Sequence, residues 1–182
     1  MMIHDMTWQA SIDLLARTRL GRLACAHEGQ PYITPIYYAY DDNCLYSFST
    51  LGQKIDWMRA NPLTCVEVDE LVSPQDWATV IVLGKYKELS NAPQHDVRRK
   101  RAYELLQERP VWWEPGYAKT VLNEKPRPME FVYFRIHIDH ISGHRGVPDT
   151  ASGGDLSAEQ RSGPVGWLRR ALGRPKQQKY IH

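Results

Sequence analysis

The chain has 182 residues, of which 42% are hydrophobic and 24% charged, values typical of a globular domain. Its 23 Lys and Arg nearly balance 21 Asp and Glu, and a net charge of +2 argues against a dedicated nucleic-acid binder. No apolar run is long enough for a membrane-spanning helix. The first six residues lack the basic start and apolar stretch of a signal peptide, so we expect a cytoplasmic protein without membrane insertion.

The first predicted element is a helix over residues 7–19. Trp8, Ile12 and Leu15 recur at helical spacing and form one apolar stripe. Gly21 stands where a left-handed helix terminus is expected.

Three strands are predicted next, over residues 22–27, 31–40 and 44–49. The links between them, 28–30 and 41–43, contain only three residues each. Links this short join antiparallel neighbours, because a parallel crossover needs a dozen residues or more. The pattern therefore disfavours a Rossmann-type sheet.

The chain then alternates helices and strands up to a change of composition at Gly143. In order, we predict a helix over 53–60, strands over 63–69 and 77–89, a helix over 94–109 and a strand over 129–142. Six strands with few long helices indicate a mainly β fold, a closed or nearly closed antiparallel β-barrel with flanking helices.

Residues 144–182 differ in composition from residues 1–143. The stretch after Gly143 is rich in Gly, Ser, Pro and Asp and reads as a flexible linker. A basic amphipathic segment over 167–172 can form a short helix, which could order on a partner or on the barrel. We expect a folded domain over 1–143 and a flexible basic tail over 144–182, dispensable for the fold.

Cysteine and histidine residues give no sign of a metal site. Cys25, Cys44 and Cys65 form no close pair and are predicted to be reduced thiols in strands. His137 and His140 differ by an odd number of positions and would point to opposite faces of a strand.

The segment from Ser47 to Lys54 carries the clearest chemical signal. A predicted strand ends in hydroxyl residues, Gly52 follows, and Lys54 lies in the first turn of a predicted helix. Hydroxyls, loop N–H groups, a helix N-terminus and one ammonium together can cradle a phosphate. The alternative is a solvated turn with a helix cap, and the spacing is not that of a P-loop.

This segment and its surroundings resemble the FMN-binding split-barrel family related to pyridoxamine 5'-phosphate oxidase, in its flavin-nucleotide-binding or nitroimidazole-resistance-like subgroup. The resemblance rests on residues 20–24, 30–38, 49–54, 58–62, 66–69 and 77–84. It implies a six-stranded antiparallel split barrel that forms a homodimer and holds one FMN in each of two clefts between the subunits.

The same resemblance implies roles for particular residues. The main chain of one strand would run beside the isoalloxazine ring, and a second group would hold the phosphate. The strand residues are Thr34, Pro35, Ile36 and Tyr37, and the phosphate residues are Ser49, Thr50 and Lys54, with Gln53 beside them. Trp77 would pack on the ribityl chain or the ring of the flavin. The alternative for Trp77 is a place in the barrel core or in a dimer interface.

Two positions depart from the family pattern. Gln53 stands where the oxidases usually have an arginine before the lysine, and Tyr32 stands where the vitamin enzyme has a flavin-binding arginine. Both departures argue against pyridoxamine phosphate as the substrate and leave flavin binding in place. Trp112 and Trp113 could cover the cleft or anchor their loop to the barrel.

The sequence therefore predicts an FMN-dependent oxidoreductase acting on a small molecule, with a nicotinamide as a candidate electron donor. The flavin would carry the redox chemistry and the protein would orient it. No residue stands out as a general acid or base. The alternative is a non-enzymatic flavin or haem carrier or sensor on the same barrel. A third hypothesis is a nucleic-acid or membrane-surface adaptor acting through the basic tail.

Overall fold

The computed structural model describes residues 1–107, 121–122, 125–126 and 131–149. One compact unit comprises Met1–Pro148. Trp112, Trp113 and the predicted helix over 167–172 lie outside the described residues.

The described elements are ten strands and three helices. The strands are β1 (Met2–Asp5), β2 (Leu20–His27), β3 (Gln30–Tyr37), β4 (Ala39–Asp41), β5 (Cys44–Thr50), β6 (Leu63–Ser73), β7 (Asp76–Glu88), β8 (Val121–Leu122), β9 (Lys125–Pro126) and β10 (Phe131–Val147). The helices are α1 (Trp8–Arg17), α2 (Gln53–Ala60) and α3 (Asp96–Gln107), the last preceded by a 3-10 turn at Pro93–His95.

Eight of these strands form one antiparallel sheet in the order β3-β2-β6-β7-β10-β5-β4, with β1 added along β10. Six of the eight are seven residues or longer. The mainly β, antiparallel fold that the sequence predicts is confirmed, and β1 and the short β4 are additional to the six predicted strands.

Both early hairpins turn through two residues in the left-handed region. Glu28 and Gly29 have φ of 50° and 78°, and Asp42 and Asn43 have φ of 45° and 54°. Two positive φ angles in succession give the hairpin turn whose twist matches that of its strands. These turns fix the pairing of β2 with β3 and of β4 with β5.

The predicted strand over 31–40 is two strands, because the chain changes partners at Tyr38. Its first part, β3, pairs with β2, and its second part, β4, pairs with β5. Tyr38 is fully buried, and its hydroxyl donates to the carbonyl of Leu15 at 3.0 Å. This change of partner brings the two ends of the sheet together and curls it into a barrel.

The core lies inside this barrel. The inward residues of β10 alternate as predicted, and Val132, Phe134, Ile136 and Ile138 are all buried. Helix α1 adds Ile12 and Leu15 to the same cluster, whereas Trp8 of the predicted stripe is 59% exposed. The three cysteines lie unpaired in β2, β5 and β6, as predicted.

The predicted role of Gly21 as a helix terminus is wrong. Helix α1 ends at Arg17, and Thr18 caps it by donating its N–H to the carbonyl of Leu14 at 3.0 Å. Gly21 lies within β2, where a Cβ would come within 2.9 Å of Val66 Cγ1. The glycine is therefore required by the close approach of β6 and not by a turn.

The last strand was predicted to end at Ser142 and continues to Val147. Its final residues pair with β7 on one edge and with β1, which composition did not indicate, on the other. His144, for example, lies opposite Asp5 and Thr79. Residues 144–147 are thus part of the sheet, and removal of everything after Gly143 would strip β1 of its partner.

Candidate functional site

The candidate site is the region where β3 and β5 separate, called the cleft below because no described strand joins them there. At the end of β3, next to Tyr38, the two strands are linked by the Ser47 hydroxyl, which donates to the carbonyl of Tyr37 at 2.6 Å. Away from this link, β3 pairs only with β2 and the end of β5 pairs only with β10, among the described strands. Each therefore presents an unpaired edge to the cleft.

The β2–β3 hairpin shows which peptide groups of β3 face the cleft. Residues flanking a two-residue turn exchange hydrogen bonds, and such pairs alternate along the ladder. His27 and Gln30 form the first such pair, so the backbone N–H and C=O groups of Thr34 and Ile36 also bond to β2. The Tyr38 N–H, which donates to the Arg19 carbonyl at 2.9 Å, fits the same alternation.

The groups that point into the cleft therefore belong to Pro31, Ile33, Pro35 and Tyr37. The two prolines have no N–H, so Ile33 carries the one donor between them and the carbonyls of all three are acceptors. Of the four residues predicted to run beside the ring, Pro35 offers its carbonyl to the cleft. The Tyr37 carbonyl already accepts from Ser47, and the peptide groups of Thr34 and Ile36 pair with β2. Ile33 belongs to this edge and was missed, although the hairpin register contains the information.

The opposite side of the cleft carries the predicted phosphate residues. Successive residues of a strand point to opposite faces, so Ser49 and Thr50 diverge. Ser49 shares the inner face with the core residue Leu45, and its hydroxyl donates to the Thr50 carbonyl at 3.1 Å. Thr50 shares the outer face with Phe48. Its side chain is therefore not brought to the face that Ser49 occupies.

Gly52 and helix α2 close this side of the cleft. The Gly52 carbonyl accepts the N–H groups of Ile55 and Asp56 at 2.9 and 3.1 Å. The earlier N–H groups of the helix lack such helical partners, as at any helix N-terminus. A Cβ on Gly52 would meet no described atom within 4 Å, so there is open space above this turn.

Lys54 is half-buried near Cys25 of β2, on the inner side of the sheet. Burial lowers the pKa of its ammonium, and the neighbouring Cys25 opposes that shift. Burial likewise raises the pKa of the Cys25 thiol. Among the described residues Lys54 has no hydrogen-bond or carboxylate partner. An anion in the cleft would supply the missing countercharge.

Gln53 is exposed at the first position of α2 and adds no charge. The cradle therefore contains one cation from the described part of the chain, together with the inward hydroxyl of Ser49 and the helix N-terminus.

An aromatic cluster next to Lys54 was not predicted. Trp57, three residues on from Lys54, contacts Tyr32 edge-on with ring centres 5.7 Å apart, and His27 at 5.9 Å. Trp57 lies about one helical turn from Lys54. Trp57 faces Tyr32 and His27, and Lys54 lies near Cys25. The cluster packs the helix onto the β2–β3 hairpin.

Trp77 is not brought to this cleft within one chain. It was predicted to begin a strand next to the phosphate loop, but β10 lies between β5 and β7. Trp77 pairs with Gly146 near one end of β10, and Thr50 pairs with Phe131 at the other end. Trp77 instead borders a surface cavity of about 340 Å³ with Arg22, Glu67 and Asp69.

The histidines of β10 form no metal site with other described residues. A register shift separates Ile138 from His140, yet no three His, Cys, Asp or Glu side chains gather within the described ranges. None of the described helices is long and apolar enough to cross a membrane.

Comparison with known proteins identifies the family. A family model described as pyridoxamine 5'-phosphate oxidase matches residues 7–145. An uncharacterised protein of Rhizobium meliloti (strain 1021) is 39% identical over 143 residues, which are 79% of this chain and 95% of that relative.

Solved structures share the fold. A FAD-binding protein from Mesorhizobium loti is 38% identical with a TM-score of 0.67, covering 81% of this chain and 99% of its own. A candidate 5-nitroimidazole antibiotic resistance protein from Bacteroides thetaiotaomicron has a TM-score of 0.56 at 14% identity, covering 79% and 87%. The second likeness concerns the fold alone. The chain belongs to the pyridoxamine 5'-phosphate oxidase family and has its split-barrel fold.

Proposed function

We propose that this protein binds a flavin nucleotide in the cleft between β3 and β5 and acts as a flavin-dependent oxidoreductase on a small molecule. The observation that carries the proposal is Lys54, a half-buried cation without a described countercharge beside an open turn at Gly52. A phosphate group matches this cradle in charge and in hydrogen bonding.

The two sides of the cleft have separate roles in this proposal. Lys54, the N-terminus of α2 and the Ser49 hydroxyl, once turned from the Thr50 carbonyl, hold the phosphate. The edge of β3 orients the planar ring through the N–H of Ile33 and the carbonyls of Pro31, Ile33 and Pro35. The bound flavin supplies the redox chemistry, and the chain supplies orientation and electrostatics.

FMN is the nucleotide we propose, because a terminal phosphate carries more charge per group than the diphosphate of FAD. The M. loti protein is named FAD-binding, which favours FAD as a second candidate. The open space at Gly52 would accommodate a longer phosphate chain.

The decisive experiment titrates purified protein with FMN, FAD and riboflavin and follows flavin fluorescence and absorbance. We expect FMN to bind at least about tenfold more tightly than riboflavin, the affinity that one good phosphate contact supplies. Anaerobic addition of NADPH or NADH then tests the oxidoreductase, and bleaching of the bound flavin is the expected result. Equal affinity for FMN and riboflavin would contradict the cradle, and a Soret band on haem titration would favour the carrier alternative.

We also propose that the active form is a homodimer, as the family resemblance implies. The outer face of the sheet carries an apolar stripe across four strands, formed by Ile33, Ala24, Cys65 and Leu83, which the ladder aligns side by side. Ile33 is 64% exposed and Leu83 47% exposed. Such a patch is typical of an interface core.

Leu83→Lys is expected to shift the protein from dimer to monomer in sedimentation velocity at micromolar concentration, because a lysine would be desolvated in the interface. Val97→Lys is the control, since Val97 is 83% exposed on α3, away from the stripe. A parent protein that sediments as a monomer with flavin bound would contradict the proposed dimer.

A further inference from the structure

Helix α2, which carries the phosphate cradle at its beginning, is held at its other end. It has only eight residues, fewer than an isolated helix needs to be stable in water. Ile55 and Met58 anchor its inner face in the core and are fully buried. Its position along the barrel surface must come from additional contacts.

One of these contacts is a two-pronged ion pair. Arg59, in the last turn of α2, donates from Nε and Nη2 to both carboxylate oxygens of Glu88 on β7, at 2.8 and 2.9 Å. The buried Tyr86 hydroxyl donates to the same carboxylate at 3.0 Å. Hydrogen bonds from Arg59 hold the pKa of Glu88 below its ordinary range. Two parallel hydrogen bonds fix direction as well as distance.

A second contact holds the end of the helix against the other side of the barrel. Asn61, the residue that ends α2, donates from its side-chain amide to the carbonyl of Ala26 on β2 at 3.0 Å. Helix α2 is thus fixed between β2 and β7. Lys54 lies five residues before Arg59, about 7.5 Å along the axis, so a tilt at one end displaces the other.

We propose that Arg59 and Glu88 are positioning residues that hold Lys54 and the α2 N-terminus in the geometry that a flavin phosphate requires. This inference rests on the proposed function. Neither residue touches the ligand, and they act by reducing the reorganisation that binding would otherwise demand. Their loss should therefore affect phosphorylated flavin far more than riboflavin.

The test uses Glu88→Gln in the full-length protein, with the Kd for FMN and for riboflavin measured side by side. We expect the Kd for FMN to rise roughly tenfold, while the Kd for riboflavin stays within about twofold.

The chain offers a matched control, Glu70→Gln. Arg17 of α1 donates to both oxygens of Glu70 at 2.7 and 3.2 Å, and the exposure of this pair is similar, but α1 carries no part of the cradle. We expect this variant to lower the melting temperature by a similar amount and to leave the FMN-to-riboflavin ratio unchanged.

An equal FMN-to-riboflavin ratio in Glu88→Gln and in the parent would overturn the positioning role, even if both variants lose stability. If Glu88→Gln does not fold, Arg59→Lys, which keeps the charge and loses the two-pronged contact, gives the same comparison. If the parent protein bound FMN and riboflavin with equal Kd, the proposed phosphate site would be contradicted, and this inference would fail with it.

Discussion

Lys54→Ala is expected to weaken FMN binding by roughly ten- to over a hundredfold. A charge-assisted contact to phosphate contributes about 1.5–3 kcal/mol, which corresponds to that range of affinity. The protein should remain folded, because removal of a half-buried ammonium without a described partner also removes a desolvation cost. Isothermal titration with FMN measures the effect.

The control for this prediction is Lys100→Ala, on the exposed side of α3, where the lysine contacts Glu104 at 4.0 Å. We expect FMN affinity to be unchanged in this variant. If Lys54→Ala bound FMN as tightly as the parent protein, the phosphate would have to bind away from Lys54, and the assignment of this residue would be wrong.

FMN affinity should also fall as the pH rises. Phosphate binding needs the charged ammonium, which is present below the pKa of Lys54 and lost above it. Because burial lowers that pKa, the loss begins at a lower pH than for an exposed lysine. The Kd for riboflavin should not show this rise at alkaline pH, because riboflavin has no phosphate. Measuring both Kd values across pH therefore distinguishes the titration of Lys54 from that of groups near the ring.

The second large effect concerns two adjacent positions of β3. Ile33→Pro is expected to leave the fold intact and weaken flavin binding roughly tenfold, because it removes the one N–H between Pro31 and Pro35 that faces the cleft. Thr34→Pro is expected to destabilise the protein by about 1–3 kcal/mol, because the Thr34 N–H pairs with Leu23 in the β2–β3 ladder and the carbonyl of Leu23 would lose its donor. Thermal melts and FMN titrations distinguish the two outcomes.

Ile33→Ala serves as the control for the lost side chain, because it removes the contribution of Ile33 to the proposed dimer stripe and keeps the N–H. A proline at position 33 that unfolded the protein, or one that left FMN affinity untouched, would show that the cleft-facing edge of β3 had been misassigned. Because Ile33→Pro should lower flavin affinity and Thr34→Pro should lower stability, the two variants together test which N–H groups of β3 bond to β2.

Much of the fold could be predicted because local signals were strong. Asn61 and Pro62 stop α2, so the prediction over 53–60 coincides with the observed Gln53–Ala60. Turn residues such as Gly29 marked the hairpins. The alternation in β10 identified its buried face, since a period of two is unambiguous along a long strand.

Other features depend on contacts distant in sequence. The change of partner at Tyr38 occurs within a continuous apolar run, where composition gives no boundary. Strand β1 is exposed along its whole length, so its pairing with β10 leaves no hydrophobic pattern to read. Gly21 looked like a helix end because a close approach by Val66 has no local signature.

The positions of the candidate site residues in the fold could be predicted only in part. Lys54 was identified from the order of hydroxyls, glycine and lysine, which is a local pattern. The divergence of Ser49 and Thr50 and the distance of Trp77 from the loop depend on strand parity and sheet order. The contact of Trp57 with Tyr32 has no local sequence signal, because the two rings lie on elements separated by 25 positions.

The pairing of β1 with β10 has a consequence for the way the chain is made. Met2 lies opposite Val147, so residues separated by 145 positions share one ladder. During synthesis the first strand leaves the ribosome long before its partner exists, so this ladder can close only after Val147 has emerged, over nearly the whole length of the folded unit. Until then the backbone N–H and C=O groups of β1 have no ladder partner, so this strand is the last part of the sheet that can form during synthesis.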